Sequence, residues 1–180
     1  MNLIMRNILP TEGEILFNEI PAERYSYFSL RKHFEYIGVK RNLYHLSLYD
    51  NITLSDDGLF AEETTDKIKQ ACEEIGLLQD IYMLADAFNT QVQDEYMFST
   101  GQAKKIQIAR AFIKDSNVMI FDEALSNLDD ETRKSVAVKL KQLAESKIII
   151  LISHNIEDYS ICDEIYQIEN GRLERVGQSA

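Results

Sequence analysis

The chain has 180 residues, 45% of them apolar, which is enough to bury one domain-sized core. With 30 acidic against 19 basic residues the formal charge is −11, a balance that repels the phosphates of nucleic acid and of membrane surfaces and argues against a nucleic-acid partner. Cys72 and Cys162 stand far apart and outside any CxxC spacing, and only His33, His45 and His154 could join them on a metal, so both read as reduced thiols of a cytoplasmic protein.

In chain order, residues 1–9 read as the last turns of a helix, stopped by the turn residues PTEG at 10–13. GEILFNEIP alternates as a half-buried strand does, with Ile15 and Phe17 on one side. Ser29 to Lys32 reads as a short helix and FEYIG at 34–38 as a strand. From Thr64 to Ile81 the spacing of Ile68, Ala71, Cys72, Ile75 and Leu78 predicts one acidic helix. A further helix is expected from Ser99 to about Lys114, a strand at Val118 to Phe121, and a helix from about Asp130 to Ala144. KIIILIS, a short β-branched run, has the pattern of a strand buried on both faces. It is far too short to span a bilayer, and MNLIMRNILP is followed by no cleavage site, so any membrane contact is expected through a partner. Strand, helix, strand in that order implies a parallel pair. Asn170-Gly171 between alternating segments signals a closing hairpin.

Parallel sheets bind ligands beyond the carboxyl ends of their strands, where loops diverge and helices begin. Asp122 and Glu123 hold that position on one strand, and Ser153-His154 on the next. Adjacent carboxylates point to opposite sides, so one can hold Mg²⁺ and the other can face a water as general base. The alternative is that the pair merely caps the following helix. Ser99-Thr100-Gly101-Gln102 has the spacing of a capping box ahead of an apolar stripe at Ile106, Ala109 and Ile113. A helix start with a glycine beside it suits a phosphate, though capping boxes are common and, taken alone, a plain cap is the favoured explanation of the letters.

The ordered set is more informative: FSTGQ at 98–102, AR at 109–110, VMIFDE at 118–123, SNLD at 126–129 and SH at 153–154. This resembles the ATP-binding cassette ATPases, the nucleotide-binding domains of ABC transporters. FSTGQ is similar to the family's signature, VMIFDEA to Walker B with its catalytic Glu, SNLD to the D-loop, and His154 to the switch histidine. PTEGEILFNEIP and ENGRLERVG extend the resemblance over nearly the whole chain, and SLRKHFEYIG, LYDNI and TQVQDEY are most similar to exporter-type members. The fold it implies is an α/β, P-loop NTPase-type parallel sheet core, the ABC ATPase fold truncated at its amino end, with 1–52 and 115–180 forming the core and 53–114 a helical signature subdomain. The cofactors implied are ATP and Mg²⁺. Asp122 would position Mg²⁺, Glu123 would polarise the hydrolytic water, and His154 would contact the γ-phosphate. Two domains would dimerise head to tail, with Ser99, Gly101 and Gln102 closing over an ATP on the opposite subunit and Asp129 linking the two sites. The transmembrane domain of a transporter would hold the assembly at the inner face of a membrane.

No GxxxxGK[ST] occurs in the sequence. In the family that loop cradles the phosphates, and MNLIMRNILPTEG resembles the helix that follows it, so the loop and its strand are expected just upstream of Met1. The family's Gln after the FEYIG-like strand would fall at Val39 or Lys40, and Thr100 replaces the signature's first Gly. Two functional readings follow. One is the carboxyl-terminal part of an exporter's ATPase domain, coupling ATP hydrolysis to export; the other is a degenerate cassette lending only its signature to a complete partner. A chromosome-maintenance ATPase of the same superfamily would need a basic surface and a coiled coil, and this acidic chain has neither. Without the absent strand, the isolated chain is expected to be marginally stable or aggregation-prone and to bind ATP weakly.

Overall fold

A computed structural model describes residues 1–54, 62–94, 96–114 and 116–178. Residues 55–61 and Glu95, which fall in the expected helical subdomain, and Asp115 lie outside it.

Three parallel strands form the central sheet: β3 (Phe34–Ile37), β4 (Val118–Asp122) and β5 (Ile148–Ile152), in the order β3-β4-β5. The period-2 alternation of β4 divides the apolar core. Met119 and Phe121 point into the larger cluster, while Ile120 points to the other face, onto Met5, Leu30 and Phe34. The larger cluster is closed by helices α2 (Leu48–Thr53), α3 (Glu62–Glu74), α4 (Leu78–Tyr82), α5 (Thr100–Ile113) and α6 (Asp130–Ala144), through residues such as Ile52, Ile68, Ile81, Ile106 and Leu140. Helix α1 (Tyr27–Lys32) covers the opposite face with Leu30.

Four expectations are corrected. Residues 1–9 make a single turn, closed by Met5 N–H on the Met1 carbonyl, and Arg6 takes a left-handed φ of 55° that stops a helix. The alternating segment at 13–21 is two short strands, β1 (Leu16–Phe17) and β2 (Ile20–Pro21), folded back at Asn18 and Glu19, both with positive φ. The expected helix 64–81 is two helices, because Gly76 adopts φ 61° and breaks the ladder between α3 and α4. Strand β5 is only half-buried, with Ile148 62% exposed, since among the described residues it pairs with β4 alone. An all-apolar run signals burial of both faces only where other elements cover both faces of the sheet.

The closing hairpin forms as expected: β6 (Glu164–Glu169) and β7 (Arg172–Gln178) turn at Asn170 (φ 50°) and Gly171 (φ 75°), the pair of positive angles that a two-residue turn requires. Among the described residues no helix is long and apolar enough to cross a membrane. Cys72 is buried, Cys162 is half-buried, and both are free thiols.

Candidate functional site

The carboxyl ends of β4 and β5 bring three of the singled-out residues together. Asp122 ends β4 on the same face as Ile120, and Tyr36, which pairs with Ile120 in register, lies diagonally from it. The Tyr36 hydroxyl donates to Asp122 Oδ2 at 2.8 Å. Burial, the hydrogen bond to Asp122 and the charge of Asp122, in that order, raise the phenol's pKa, so Tyr36 stays a neutral donor.

Glu123 does not continue the pleat. Its φ of 52° is left-handed, unusual for a residue with a Cβ, while its N–H still donates to the Ile152 carbonyl at 3.0 Å. Its carboxylate meets the exposed imidazole of His154, whose Nδ1 lies 2.9 Å from Oε1 and 2.8 Å from Oε2. Behind it, the Ser126 hydroxyl donates to the Glu123 carbonyl at 2.8 Å and fixes the turn. Ser153 is held by buried Asp158, to which its hydroxyl donates at 2.6 Å, and Asp158 faces Arg133 at 3.6 Å. An open depression of about 340 Å³ beside His154 is lined by Ser126, Arg133, Ser153, His154, Asn155 and Ile156.

No helix follows the acidic pair directly, so the capping alternative fails. The cap of α6 is Asp129, which accepts from the Thr132 N–H and hydroxyl, both at 2.8 Å, and pairs with Lys105 at 3.3 Å. The Thr132 bonds first, and then Lys105, hold its carboxyl at about 2.

Ser99 caps α5 through the expected box: its hydroxyl accepts from the Gln102 N–H at 3.2 Å, and Gln102 Oε1 accepts from the Ser99 N–H at 3.1 Å. Gly101 sits against the 124–129 turn, where an added Cβ would stand 3.2 Å from the Asn127 carbonyl oxygen. This glycine therefore permits a close backbone approach. Thr100 is not idle: its Oγ1 accepts from Arg41 at 3.0 Å, while the same guanidinium donates to the Phe98 carbonyl at 3.0 Å and lies over the Tyr96 ring.

Side chains of α5 also hold the loop that follows β3. Lys104 donates to the Gly38 carbonyl and to Gln107 Oε1, Gln107 to the carbonyls of Lys40 and Arg41, and Arg110 to those of Asn42 and Asn51. The loop lacks a ladder of its own, and this helix supplies its missing donors. Lys104 is 2% exposed; burial lowers its pKa and the charge of Asp122 opposes that shift. Val39, which with Lys40 is one of the two positions where the family's Gln would fall, is 72% exposed. Sequence reasoning missed Tyr36 and Lys104, whose only signals were a polar tip in a strand and polar residues at helical spacing, Lys104, Gln107 and Arg110, within an apolar helix.

The donor set suits one hard cation bound largely through water and phosphate. Asp122 offers a carboxylate at a strand end, and among the described residues no group of three or more His, Cys, Asp or Glu could cage a metal. That is how Mg²⁺, which keeps much of its water, is usually held.

A family model described as ABC transporter matches residues 1–126. The chain is 30% identical over 178 residues to the ATP-dependent lipid A-core flippase of Francisella tularensis subsp. tularensis, covering 98% of this chain and 29% of that protein. A protein of the same name from Bordetella pertussis is 30% identical over 176 residues, covering 96% of this chain and 27% of that one. The chain thus spans under a third of the length of these curated relatives. In three dimensions it is similar to a bacterial Atm1-family ABC exporter with ATP bound, with a TM-score of 0.88 at 24% identity, over 99% of this chain and 31% of that one. The likeness shows a shared α/β fold.

Proposed function

We propose, from the premise that this chain belongs to the ABC transporter family, that it is the part of an exporter's ATPase domain that carries the hydrolytic residues and the signature turn. The names of its relatives, flippases and an exporter, support an export role at the cytoplasmic face of a membrane, coupled to a membrane-spanning partner. Residues 53–114 would be the helical signature unit on an α/β core. The observation that carries the reading is the contact of Glu123 with His154, made by two residues from different strand ends.

ATP with Mg²⁺ would supply the electrophilic phosphorus and its leaving group. Asp122 would hold the cation through its carboxylate. Glu123, turned toward β5 by its left-handed backbone, would accept hydrogen bonding from the attacking water as general base. His154 Nδ1 orients that carboxylate and leaves Nε2 turned outward; only the doubly protonated ring could donate from Nε2 to a phosphate oxygen. Ser99, Gly101 and Gln102 would offer the α5 N-terminus to the nucleotide of a second domain in a head-to-tail pair. Asp129, occupied with Thr132 and Lys105, would act there through the position of the turn it caps.

Phosphate release by the chain mixed with a complete cassette domain tests this. Glu123→Gln should abolish the turnover that the chain adds, and unchanged turnover sinks the hydrolytic reading. The second reading, a module lending only its signature, is favoured by Val39 and Lys40, which stand where the family's Gln would fall. It predicts the reverse dependence: loss with Ser99→Ala and indifference to Glu123→Gln.

A further inference from the structure

We infer that Tyr36 is a positioning residue for the metal-binding carboxylate, and that Gly38 is the feature that lets it serve. The inference rests on the metal role proposed above for Asp122. Tyr36 lies on β3, one strand away, yet its hydroxyl reaches Asp122 Oδ2 at 2.8 Å. To do so the ring folds forward over its own strand end. An ideal Cβ on residue 38 would stand 2.5 Å from Tyr36 Cε1, 2.7 Å from Cζ and 2.6 Å from the hydroxyl oxygen. Any residue but glycine at 38 would therefore push the ring away. The colliding atoms are the free end of a side chain, so the ring would swing off while β3 keeps its register.

Gly38 is itself held. Its carbonyl accepts from Lys104, a buried lysine that feels the charge of Asp122, and Lys104 also donates to Gln107. The Asp122 carboxylate thus has one oxygen committed to a neutral phenol and a buried positive charge nearby. Its other oxygen, Oδ1, is the one left to meet a cation or a cation-bound water. A carboxylate fixed in this way is held in one orientation, which suits the strict octahedral demand of Mg²⁺.

The test uses the 180-residue protein labelled with ¹³Cζ-tyrosine, the Tyr36 resonance being identified by its loss in Tyr36→Phe. Without ligand, Asp122→Asn and Gly38→Ala should each move that resonance. With Mg²⁺ and ATP at millimolar concentration, Tyr36→Phe should weaken Mg²⁺-dependent ATP binding by roughly three- to tenfold, the size of one ordinary hydrogen bond, since Tyr36 acts only by positioning. Binding measured in EDTA should not change. Gly38→Ala should reproduce the loss, and the double variant should be no worse than either. If Gly38→Ala does not fold, Tyr36→Phe with Asp122→Asn carries the test. A resonance indifferent to Asp122→Asn, or Mg²⁺ dependence unchanged or strengthened in Tyr36→Phe, overturns the inference while leaving the nucleotide reading in place. A Tyr36 resonance that responds to Asp122→Asn as expected but is unmoved by Mg²⁺, with or without ATP, overturns the metal role given to the anchor, whereas the nucleotide reading falls only to a turnover left unchanged by Glu123→Gln.

Discussion

His154 Nδ1 lies within 2.9 Å of both carboxylate oxygens of Glu123, a contact between residues 31 apart in the chain that neither strand could make alone. The imidazole is 79% exposed, so its removal leaves no cavity and no stranded buried group. His154→Ala should therefore change the unfolding free energy from urea denaturation by no more than about 0.5 kcal/mol. Phosphate release in a mixed assembly should fall by about a hundredfold or more, the usual contribution of a positioned acid–base group. Comparable losses in both measurements would mark the contact as structural.

Glu123 holds φ 52°, where an L-residue carries roughly 1 kcal/mol of backbone strain that glycine does not. Glu123→Gly should accordingly raise the unfolding free energy by up to about 1 kcal/mol while removing the proposed general base. Chemical denaturation of the two proteins side by side measures it. A destabilised variant would mean that the His154 contact outweighs the strain.

Asp129 caps α6, and Asp129→Ala should cost about 1 kcal/mol at neutral pH, with Asp129→Asn losing less. Its folded pKa of about 2 lies below the ordinary 3.8, so its charge stabilises the fold fully above about pH 4 and ceases to do so as the pH falls toward 2. The side chain is 58% exposed and solvent screens the effect, so it should appear as a shallow slope in that window. Unfolding curves from pH 2 to 7 should show this slope in the parent and lose it in Asp129→Ala.

Local pattern was enough for several elements. The Ser99–Gln102 box, the α6 span and the Asn170-Gly171 turn each rest on chemistry contained within a few residues. The convergence of Asp122, Glu123 and His154 was legible because strand ends in a parallel sheet share one rim. What was not legible depended on residues distant in sequence. The half-exposure of β5, which pairs with β4 alone among the described residues, is not recorded in the letters of KIIILIS. Tyr36 reads as an ordinary strand residue until the register sets it diagonal to Asp122. The break at Gly76 and the turn at Asn18 and Glu19 were visible as residues, but the apolar periodicity across them outweighed a single turn signal.

The two cysteines should separate cleanly in reactivity. Burial pushes the Cys72 thiol up to about 12, leaving almost no thiolate at neutral pH, whereas Cys162 is half-buried and its thiol is raised by burial and by Asp158 and Asp163. A maleimide reagent at pH 7.5 should modify Cys162 slowly and Cys72 only after denaturant is added. Mass mapping of the modified peptides reads this directly. Fast modification of Cys72 in the native protein would show that α3 opens readily.

Among the described residues strand β5 pairs with β4 alone, along one edge, and Ile148 stands 62% exposed at its start. An apolar strand with a free edge is a template for pairing with another chain, and natural edges are commonly protected by lysine. Ile148→Lys should lower concentration-dependent association seen by light scattering. Its effect on stability should stay within about 0.5 kcal/mol, since an exposed side chain gives up little burial. Unchanged association would place the sticky surface elsewhere, with exposed Ile168, Leu173 and Val176 of the β6–β7 hairpin as the next apolar face to charge.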